Sequence, residues 1–239
     1  MKFAIRLADR VISVTCQHEY TLKACKEYIV DAGEPAFAVC ATDDEVRLEM
    51  QSASEPIDAA YAEFICLYRK IAEELPRYHC IVTHGAAISY KGAAILFTAP
   101  SGTGKSTHIK LWKKTFKDQV DIINGDKPIL RIEDTASVFG TPWAGKENWH
   151  KNRQAPLYAI CLLKQAKNNR INKVDPQTCL PALLKQVYLP TDATSMKQTL
   201  KLFDALLKRI PVYVLECNIS REAVMTAYNA VAEEHLHEN

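Results

Sequence analysis

The sequence lacks the features that mark membrane, secreted and nucleic-acid-binding proteins. No uninterrupted apolar stretch approaches the ~20 residues needed to span a bilayer. The formal net charge is only +2, so no basic surface for nucleic acid is predicted. The first residues carry charges where a secretion signal needs an apolar run. We therefore expect a cytoplasmic protein with no membrane and no nucleic-acid partner.

The cysteines also lack the spacing of a metal site. There are eight, none forms a Cys-x-x-Cys pair, and several lie inside apolar runs, as Cys161 and Cys217 do. Without a secretion signal, such residues are typical of reduced thiols that pack as small hydrophobic groups. The sequence therefore predicts neither a disulfide framework nor a zinc site.

The composition is that of an ordinary globular protein, with 48% hydrophobic and 24% charged residues. A length of 239 residues favours one α/β domain with an appended subdomain. We place a small N-terminal α/β subdomain at residues 1–78 and the main domain at residues 79–239.

Local patterns predict the elements along the chain. The strands are expected at residues 3–7, 11–16, 36–41, 46–50, 80–90, 93–98, 120–124, 129–132, 136–140, 158–163 and 212–217. Helices are expected from a cap at Ser54 or Asp58 to Leu75, after Lys105, and at residues 176–188, 192–209 and 221–232, with a frayed tail from residue 233. Lys91-Gly92 is predicted to form a two-residue hairpin turn.

The most informative segment is a glycine-rich loop between a predicted strand and a predicted helix. Residues 99–107 fit the P-loop pattern [AG]-x-x-x-x-G-K-[ST], in which backbone amides and a helix N-terminus hold a nucleotide phosphate chain. We expect ATP to be bound by Ser101, Gly102, Thr103, Gly104, Lys105, Ser106 and Thr107. Lys105 would reach the β- and γ-phosphates, and the Ser106 hydroxyl would hold Mg²⁺. The plainer interpretation is a loop that only turns the chain.

A second candidate lies where the strand after the P-loop helix ends. Asp126 stands where P-loop enzymes keep a carboxylate that organises the metal or accepts a proton. It would serve as a Mg²⁺ ligand or as the catalytic base, and the sequence does not choose between the two. A turn residue before Pro128 is the alternative. His84, on the arm beside the P-loop strand, is either a catalytic residue or a structural histidine.

The segment from Trp143 to Arg153 is rich in basic side chains. It is either a solvated surface loop or a flap that brings a cation to the γ-phosphate. Arg153 suits that role by its planar guanidinium, whereas Lys146 suits it by its position. Gly145 is a candidate hinge.

Together these segments resemble the catalytic domain of HPr kinase/phosphorylase. The shared features, in order and spacing, are Thr83-His84-Gly85, the Lys91-Gly92 turn, residues 101–107 and Ile123-Asn124-Gly125-Asp126. The loop string also resembles the kinase motif of ATP-dependent phosphoenolpyruvate carboxykinase. The similarity is greatest to compact HPr-kinase-like proteins of bacteria, some of which accompany peptide-modifying gene clusters. It covers about residues 80–165.

The resemblance implies an α/β fold with a mixed sheet and transfer of phosphate from ATP to a serine-type hydroxyl. The acceptor would be a peptide, a small protein or free serine, with His84 near the acceptor. Self-association is also implied, because HPr kinases form rings. Two departures stand out: Gly125 replaces the first of the family's paired carboxylates, and the Arg/Gly-rich segment that grips HPr is missing. HPr is therefore not the expected acceptor. The alternative function is a nucleotide-binding regulator with little or no phosphate transfer.

Overall fold

The computed structural model describes residues 1–31 and 33–232, so the predicted frayed tail lies outside the described residues. The strands are β1 (Lys2–Leu7), β2 (Arg10–Thr15), β3 (Phe37–Cys40), β4 (Cys80–Val82), β5 (Gly85–Tyr90), β6 (Ala93–Thr98), β7 (Val120–Asn124), β8 (Ile129–Ile132), β9 (Ala136–Phe139), β10 (Gln154–Gln165), β11 (Arg170–Val174) and β12 (Val212–Cys217). The α-helices are α1 (Glu19–Ala24), α2 (Asp43–Ser52), α3 (Ala59–Glu74), α4 (Lys105–Phe116), α5 (Leu180–Leu184), α6 (Ala193–Leu207) and α7 (Arg221–Ala232).

The predicted mixed α/β architecture is confirmed. A small sheet has the order β1-β2-β3, and a larger one has the order β4-β8-β9-β10-β6-β5-β7, with β12 and then β11 beside β10. In the larger sheet β6 and β12 run parallel to β10, whereas β5 runs antiparallel to both β6 and β7. The long strand β10 joins the parts, since its first residues pair with β9 and its later ones with β6 and β12.

Helices cover the larger sheet on both faces. On one face α4 and α7 pack around Trp112, Phe97 and Val224, all fully buried or nearly so. On the other face α6 contributes Leu202, Phe203 and Leu206 to a separate buried cluster. Burial of these apolar side chains, at about 25 cal/mol per Å², is the main stabilising contribution and holds the strand ends in place.

The small sheet and α3 share a hydrophobic core with the main sheet. That cluster joins Ile5, Leu67 and Ile71 to Val82 and Trp143. The boundary proposed at residue 78 coincides with the end of the 3-10 turn Leu75–Tyr78. Whether the two parts behave as separate domains stays a prediction.

Two strand predictions were wrong. Residues 46–50 belong to α2, because Thr42 and Glu45 form a reciprocal capping box that starts a helix at Asp43. The apolar alternation there does not reflect burial, since Leu48 is 65% exposed and Glu49 is buried. Residues 80–90 are not one strand but β4 and β5, which pair with different neighbours on either side of His84.

The C-terminal third also differs in detail. The helix predicted over residues 176–188 is a 3-10 turn, Pro176–Cys179, followed by the short α5. Strand β11 was not predicted. The final helix is confirmed, and the backbone N–H of Ala223 donates to the Ser220 hydroxyl at its start.

Candidate functional site

The glycine-rich loop, residues 99–104, joins the end of β6 to the start of α4, so its predicted strand-and-helix context is confirmed. Gly102 and Gly104 have φ of 78° and 104°, values that favour glycine. No side chain caps α4, so the N–H groups of its first turn carry no side-chain acceptor. Such a terminus attracts anions, because its dipole and free amides point outward. The geometry therefore suits a phosphate group.

Lys105, the first residue of α4, directs its side chain back into this loop. Its side chain is buried, and Nζ donates to the carbonyl oxygens of Ala99 and Pro100 at 2.8 and 3.3 Å. Burial lowers its pKa to about 8, although the negative charge of Asp126 acts in the opposite direction. Lys105 and Asp126 therefore interact electrostatically, while the ammonium group is hydrogen-bonded to the loop carbonyls.

Asp126 is positioned by a turn that Asn124 builds at the end of β7. The fully buried Asn124 accepts hydrogen bonds at Oδ1 from the N–H groups of Asp126 and Lys127, at 2.8 and 2.7 Å. Its amide nitrogen donates to the backbone oxygen and hydroxyl of Thr141. Asn124, and not Asp126, is thus the turn-forming Asx residue. The carboxylate of Asp126 is left free for other contacts.

Two nitrogen groups face that carboxylate. His84 Nε2 lies 3.2 Å from Oδ1, and Lys127 Nζ lies 3.3 Å from Oδ2. Burial raises the pKa of Asp126, but the hydrogen bond from His84 and the charge of Lys127 outweigh it, so the net shift is downward. Asp126 is therefore ionised at neutral pH.

His84 lies at the point where the chain passes from β4 to β5. Its Nδ1 is 3.0 Å from Gln186 Oε1, and its backbone N–H donates to the Gln186 carbonyl at 2.6 Å. The ring is thus held from both sides, which orients Nε2 toward Asp126. The next residue, Gly85, has little room for a side chain, because a Cβ there would lie only 2.7 Å from Leu96 Cδ1.

The structure leaves little room for a second carboxylate next to Asp126. A Cβ on Gly125 would lie 3.2 Å from the carbonyl oxygen of Ala144 and 3.5 Å from that of Trp149. The backbone N–H of Gly125 also donates to the Trp149 carbonyl. The loop over residues 141–153 therefore covers Gly125, the residue before Asp126.

Arg153 and Lys146, the two candidate transition-state cations, lie on the loop over residues 141–153. Their ion pairs are with residues outside the glycine-rich loop. Arg153 and Lys151 both form ion pairs with Asp121, near the start of β7 and away from Asp126. The Lys146 side chain is 91% exposed and pairs with Glu55. Gly145, with φ of 71°, does reach the site, since a Cβ there would lie 3.1 Å from that of Asp126. The catalytic roles of Arg153 and Lys146 stay predictions.

Two cavities adjoin these residues. The loop cavity, about 410 Å³, is bounded by Thr103, Gly104 and Thr107 on one side and by apolar residues including Leu111 and Ile219 on the other. The aromatic cavity, about 260 Å³, has Asp126 and Lys127 in its wall. Its aromatic lining consists of Tyr20, Tyr61, Phe64, Tyr68 and Trp143.

Sequence reasoning did not identify several of these neighbours. Lys127 directly follows Asp126, and that adjacency was a usable signal. Gln186 and Tyr68 come from distant segments, and nothing in the sequence links them to His84 or Asp126. Among the described residues no cluster of three or more His, Cys, Asp or Glu side chains is arranged to hold a metal ion.

Two further expectations can be compared with the described residues. All eight cysteines are free thiols, and five are buried, as predicted: Cys16, Cys25, Cys66, Cys80 and Cys161. Within residues 1–31 and 33–232, no helix combines the length and apolarity needed to cross a membrane.

Fold and site together define an α/β protein with a glycine-rich loop, a buried lysine at the start of the following helix, and a half-buried carboxylate flanked by His84 and Lys127. The family model of SynChlorMet cassette protein ScmC matches residues 52–224, well over half of the chain. The protein therefore belongs to the ScmC family. No curated protein matches the chain in sequence.

Among solved structures, the Hpr(Ser) kinase/phosphatase from Coxiella burnetii is similar over 66% of this chain and 97% of that chain. The identity is 11% and the TM-score is 0.35. Membership of the HPr kinase family is thus not shown, and the function has to be argued from the residues themselves.

Proposed function

We propose that this protein is an ATP- and Mg²⁺-dependent phosphotransferase that phosphorylates a serine-type hydroxyl on a peptide, a small protein or free serine. The observation that carries the proposal is the position of Asp126. Its ionised carboxylate contacts His84 and Lys127, interacts electrostatically with Lys105, and borders an open cavity. The groups proposed to bind phosphate, a carboxylate able to accept a proton and a cavity with space for an acceptor molecule together support the proposal.

Each group has a defined part in the proposed reaction. The loop amides and Lys105 hold the phosphates of ATP, and Asp126 accepts the proton of the attacking hydroxyl. The hydroxyl oxygen bonds to the γ-phosphorus as the bond to the β–γ bridging oxygen breaks, and ADP leaves. His84 orients Asp126. Lys127 adds a positive charge beside the reacting groups.

The proposed Mg²⁺ would be held by Ser106 and Asp126. A hydroxyl and a carboxylate are oxygen ligands that suit this ion, with phosphate oxygens and water completing its coordination. When bound, the ion neutralises charge on the phosphate oxygens. The limited space at Gly125 means that Asp126 has no neighbouring carboxylate with which to divide the metal and base roles.

The direct test is ATP consumption with and without candidate acceptors, followed by mass spectrometry of the acceptor. We expect ADP formation to require both Mg²⁺ and a hydroxyl-bearing acceptor, which should gain one phosphate. ATP binding without acceptor-dependent turnover would contradict the proposal. So would the absence of any nucleotide-induced rise in melting temperature, because a ligand selective for the native state must stabilise it.

The second candidate, a nucleotide-binding regulator, is favoured by one observation. Lys151 and Arg153 form ion pairs with Asp121 and not with the glycine-rich loop. A protein without such a cation can bind a nucleotide and turn it over slowly. Measuring acceptor-dependent turnover in Asp121→Asn tests this observation. Faster phosphate transfer than in wild type supports the regulator, because the ion pairs then keep a cation from the site. Unchanged transfer means that the ion pairs with Asp121 do not favour the regulator.

The loop cavity is the proposed position of the nucleoside part of ATP. Ile219 lies in its wall and is 79% exposed, so bound base and ribose would cover an apolar side chain that otherwise faces water. We expect Ile219→Ala to weaken nucleotide binding by about threefold to tenfold, the effect of losing a few buried methyl groups. Calorimetric titration with ATP measures it. Leu200→Ala is the control. It truncates an exposed apolar side chain of similar size on α6, outside this cavity, and should leave the affinity unchanged.

Gly145 is predicted to matter because its backbone lies against Asp126. In Gly145→Ala the added methyl group would lie 3.1 Å from the Asp126 Cβ and displace the carboxylate. We expect transfer to slow by about 10- to 100-fold, as small displacements of reacting groups do. Gly92→Ala is the control, because Gly92 also has positive φ, 87°, but no atom within 4 Å of its added Cβ. Equal slowing in both variants would point to backbone strain alone.

A further inference from the structure

The aromatic cavity lies between the N-terminal part of the chain and the loop that covers Gly125. Its wall combines Tyr20 of α1, three aromatic residues of α3 and Trp143. Trp143 is fixed there, since its ring nitrogen donates to the Phe64 carbonyl at 3.1 Å and its ring stacks on Phe64 at 5.2 Å. The N-terminal part therefore contributes most of a wall that ends at Asp126.

Exposure changes along this wall. Tyr20 and Tyr61 are 43% and 39% exposed, whereas Phe64 and Trp143 are 5% and 7% exposed. Tyr20 meets Tyr61 and Phe64 edge-on, with ring centroids 5.9 and 5.4 Å apart. Aromatic rings arranged in this way offer both edges and faces to a further ring. The cavity thus has a rim of partly exposed tyrosines and a buried aromatic interior.

The charges around the cavity are already paired. Arg69 lies in the wall, but its guanidinium forms an ion pair with the buried Glu49, with contacts of 2.6 and 3.0 Å. Lys127 faces Asp126. Among the described residues that line the cavity, no charge is unpaired, so the aromatic rings of the wall fit an uncharged occupant that packs against them.

The cavity is also small. At about 260 Å³ it is below the range of about 300–1,000 Å³ in which drug-sized ligands bind. It holds one bulky side chain, while the partly exposed tyrosines at its rim leave a path for a main chain to continue outward. Free serine has no group that would fill it.

We infer that the aromatic cavity binds one aromatic side chain of a peptide acceptor, and that the hydroxyl to be phosphorylated is on the neighbouring residue, next to Asp126. This inference rests on the proposed function for the identity of the reaction. It adds the substrate class: a peptide in which an aromatic residue adjoins serine. It also assigns the N-terminal part of the chain to acceptor recognition.

The test uses the full-length protein and capped peptides in which serine is flanked by phenylalanine, tryptophan, alanine or aspartate, with free serine as a further acceptor. We expect kcat/KM for the aromatic peptides to exceed that for the alanine peptide at least tenfold, the scale set by burial of one ring. Binding is measured separately by calorimetry without nucleotide. Equal use of aromatic and alanine peptides, or preferred use of free serine, overturns the inference.

Variants at the rim locate the effect. Tyr61→Ala should reduce the aromatic preference to within about threefold, whereas Tyr61→Phe should retain it, because the ring and not the hydroxyl makes the contact. Leu48→Ala, which removes an exposed side chain of α2 outside this cavity, is the matched control. An unchanged preference in Tyr61→Ala and Tyr20→Ala would overturn the inference.

The two proposals fail in different ways. If aromatic peptides bind in a manner that depends on Tyr61 but receive no phosphate from ATP, the phosphotransferase proposal fails while the cavity remains a peptide site. If serine peptides are phosphorylated without any aromatic preference, the reaction stands and the assignment of the cavity is wrong.

Discussion

Replacing Asp126 with asparagine is expected to slow phosphate transfer by about 10²- to 10⁴-fold, the usual contribution of a positioned proton acceptor. The amide is nearly isosteric with the carboxylate but neither accepts the hydroxyl proton nor carries a negative charge. Initial rates of acceptor phosphorylation at saturating ATP measure the effect. Asp118→Asn, which removes an exposed carboxylate of the same protein, should leave the rate unchanged. Full activity of Asp126→Asn would rule out the base assignment.

The same variant separates the two roles that Asp126 can have. As a base, Asp126 affects kcat and leaves the Mg²⁺ concentration for half-maximal rate unaltered. As a metal ligand, its loss raises that concentration, and excess Mg²⁺ restores part of the rate. Measuring the rate of wild type and Asp126→Asn over a Mg²⁺ series distinguishes these outcomes.

The pH dependence follows from the downward pKa shift of Asp126. His84 and Lys127 stabilise the ionised carboxylate in the folded protein, so its pKa lies below the ordinary value of 3.8. The stabilisation is complete above the unfolded-state pKa and is lost as the pH falls through the lower folded-state value. We expect the free energies of unfolding of wild type and Asp126→Asn to differ at pH 7, and the difference to shrink only as the pH falls below 3.8 toward the folded-state pKa. Urea titrations at pH 7 and below pH 3.8 measure this.

Replacing Lys105 with alanine is expected to weaken ATP binding about 100-fold or more. Hydrogen bonds to charged groups contribute about 1.5–3 kcal/mol each, and the ammonium is proposed to make at least two to the phosphates. The variant also leaves the Ala99 and Pro100 carbonyls without their donor. Calorimetric titration with ATP measures the loss. Lys110→Ala, at an exposed position of the same helix, is the control. Unchanged affinity in Lys105→Ala would contradict the nucleotide site itself.

Nucleotide affinity should also depend on pH through Lys105. Burial lowers the pKa of this residue to about 8, so its charged fraction in the free protein falls above that value. We therefore expect ATP affinity to decrease as the pH rises, by about tenfold per pH unit once the pH exceeds the pKa of Lys105. The residual binding of Lys105→Ala should lack this decrease between pH 7 and 9.5. An equal decrease in both proteins would assign the titration to another group.

Local sequence signals predicted much of the fold. Residues 93–98 and the helix after Lys105 are where they were expected, because an apolar run and an amphipathic stripe report burial directly. The errors at residues 46–50 and 80–90 have a different origin. The structure of residues 46–50 depends on whether Thr42 caps a helix. The division of residues 80–90 into two strands depends on which neighbouring strand each half pairs with. Both are decided by contacts that alternation of apolar residues does not encode.

For the site, the sequence by itself determined which groups are present: a phosphate-binding loop pattern with Lys105 and Ser106, a histidine at position 84, and one carboxylate at position 126. Only the tertiary structure decided their relations. It placed His84 and Lys127 against Asp126, filled the space at Gly125 with the loop after β9, held Arg153 at Asp121, and used α1 and α3 to build an aromatic wall. The physical reason is that motif residues are close in sequence and share one turn, whereas partners such as Gln186 and Trp143 meet the site only when distant segments pack.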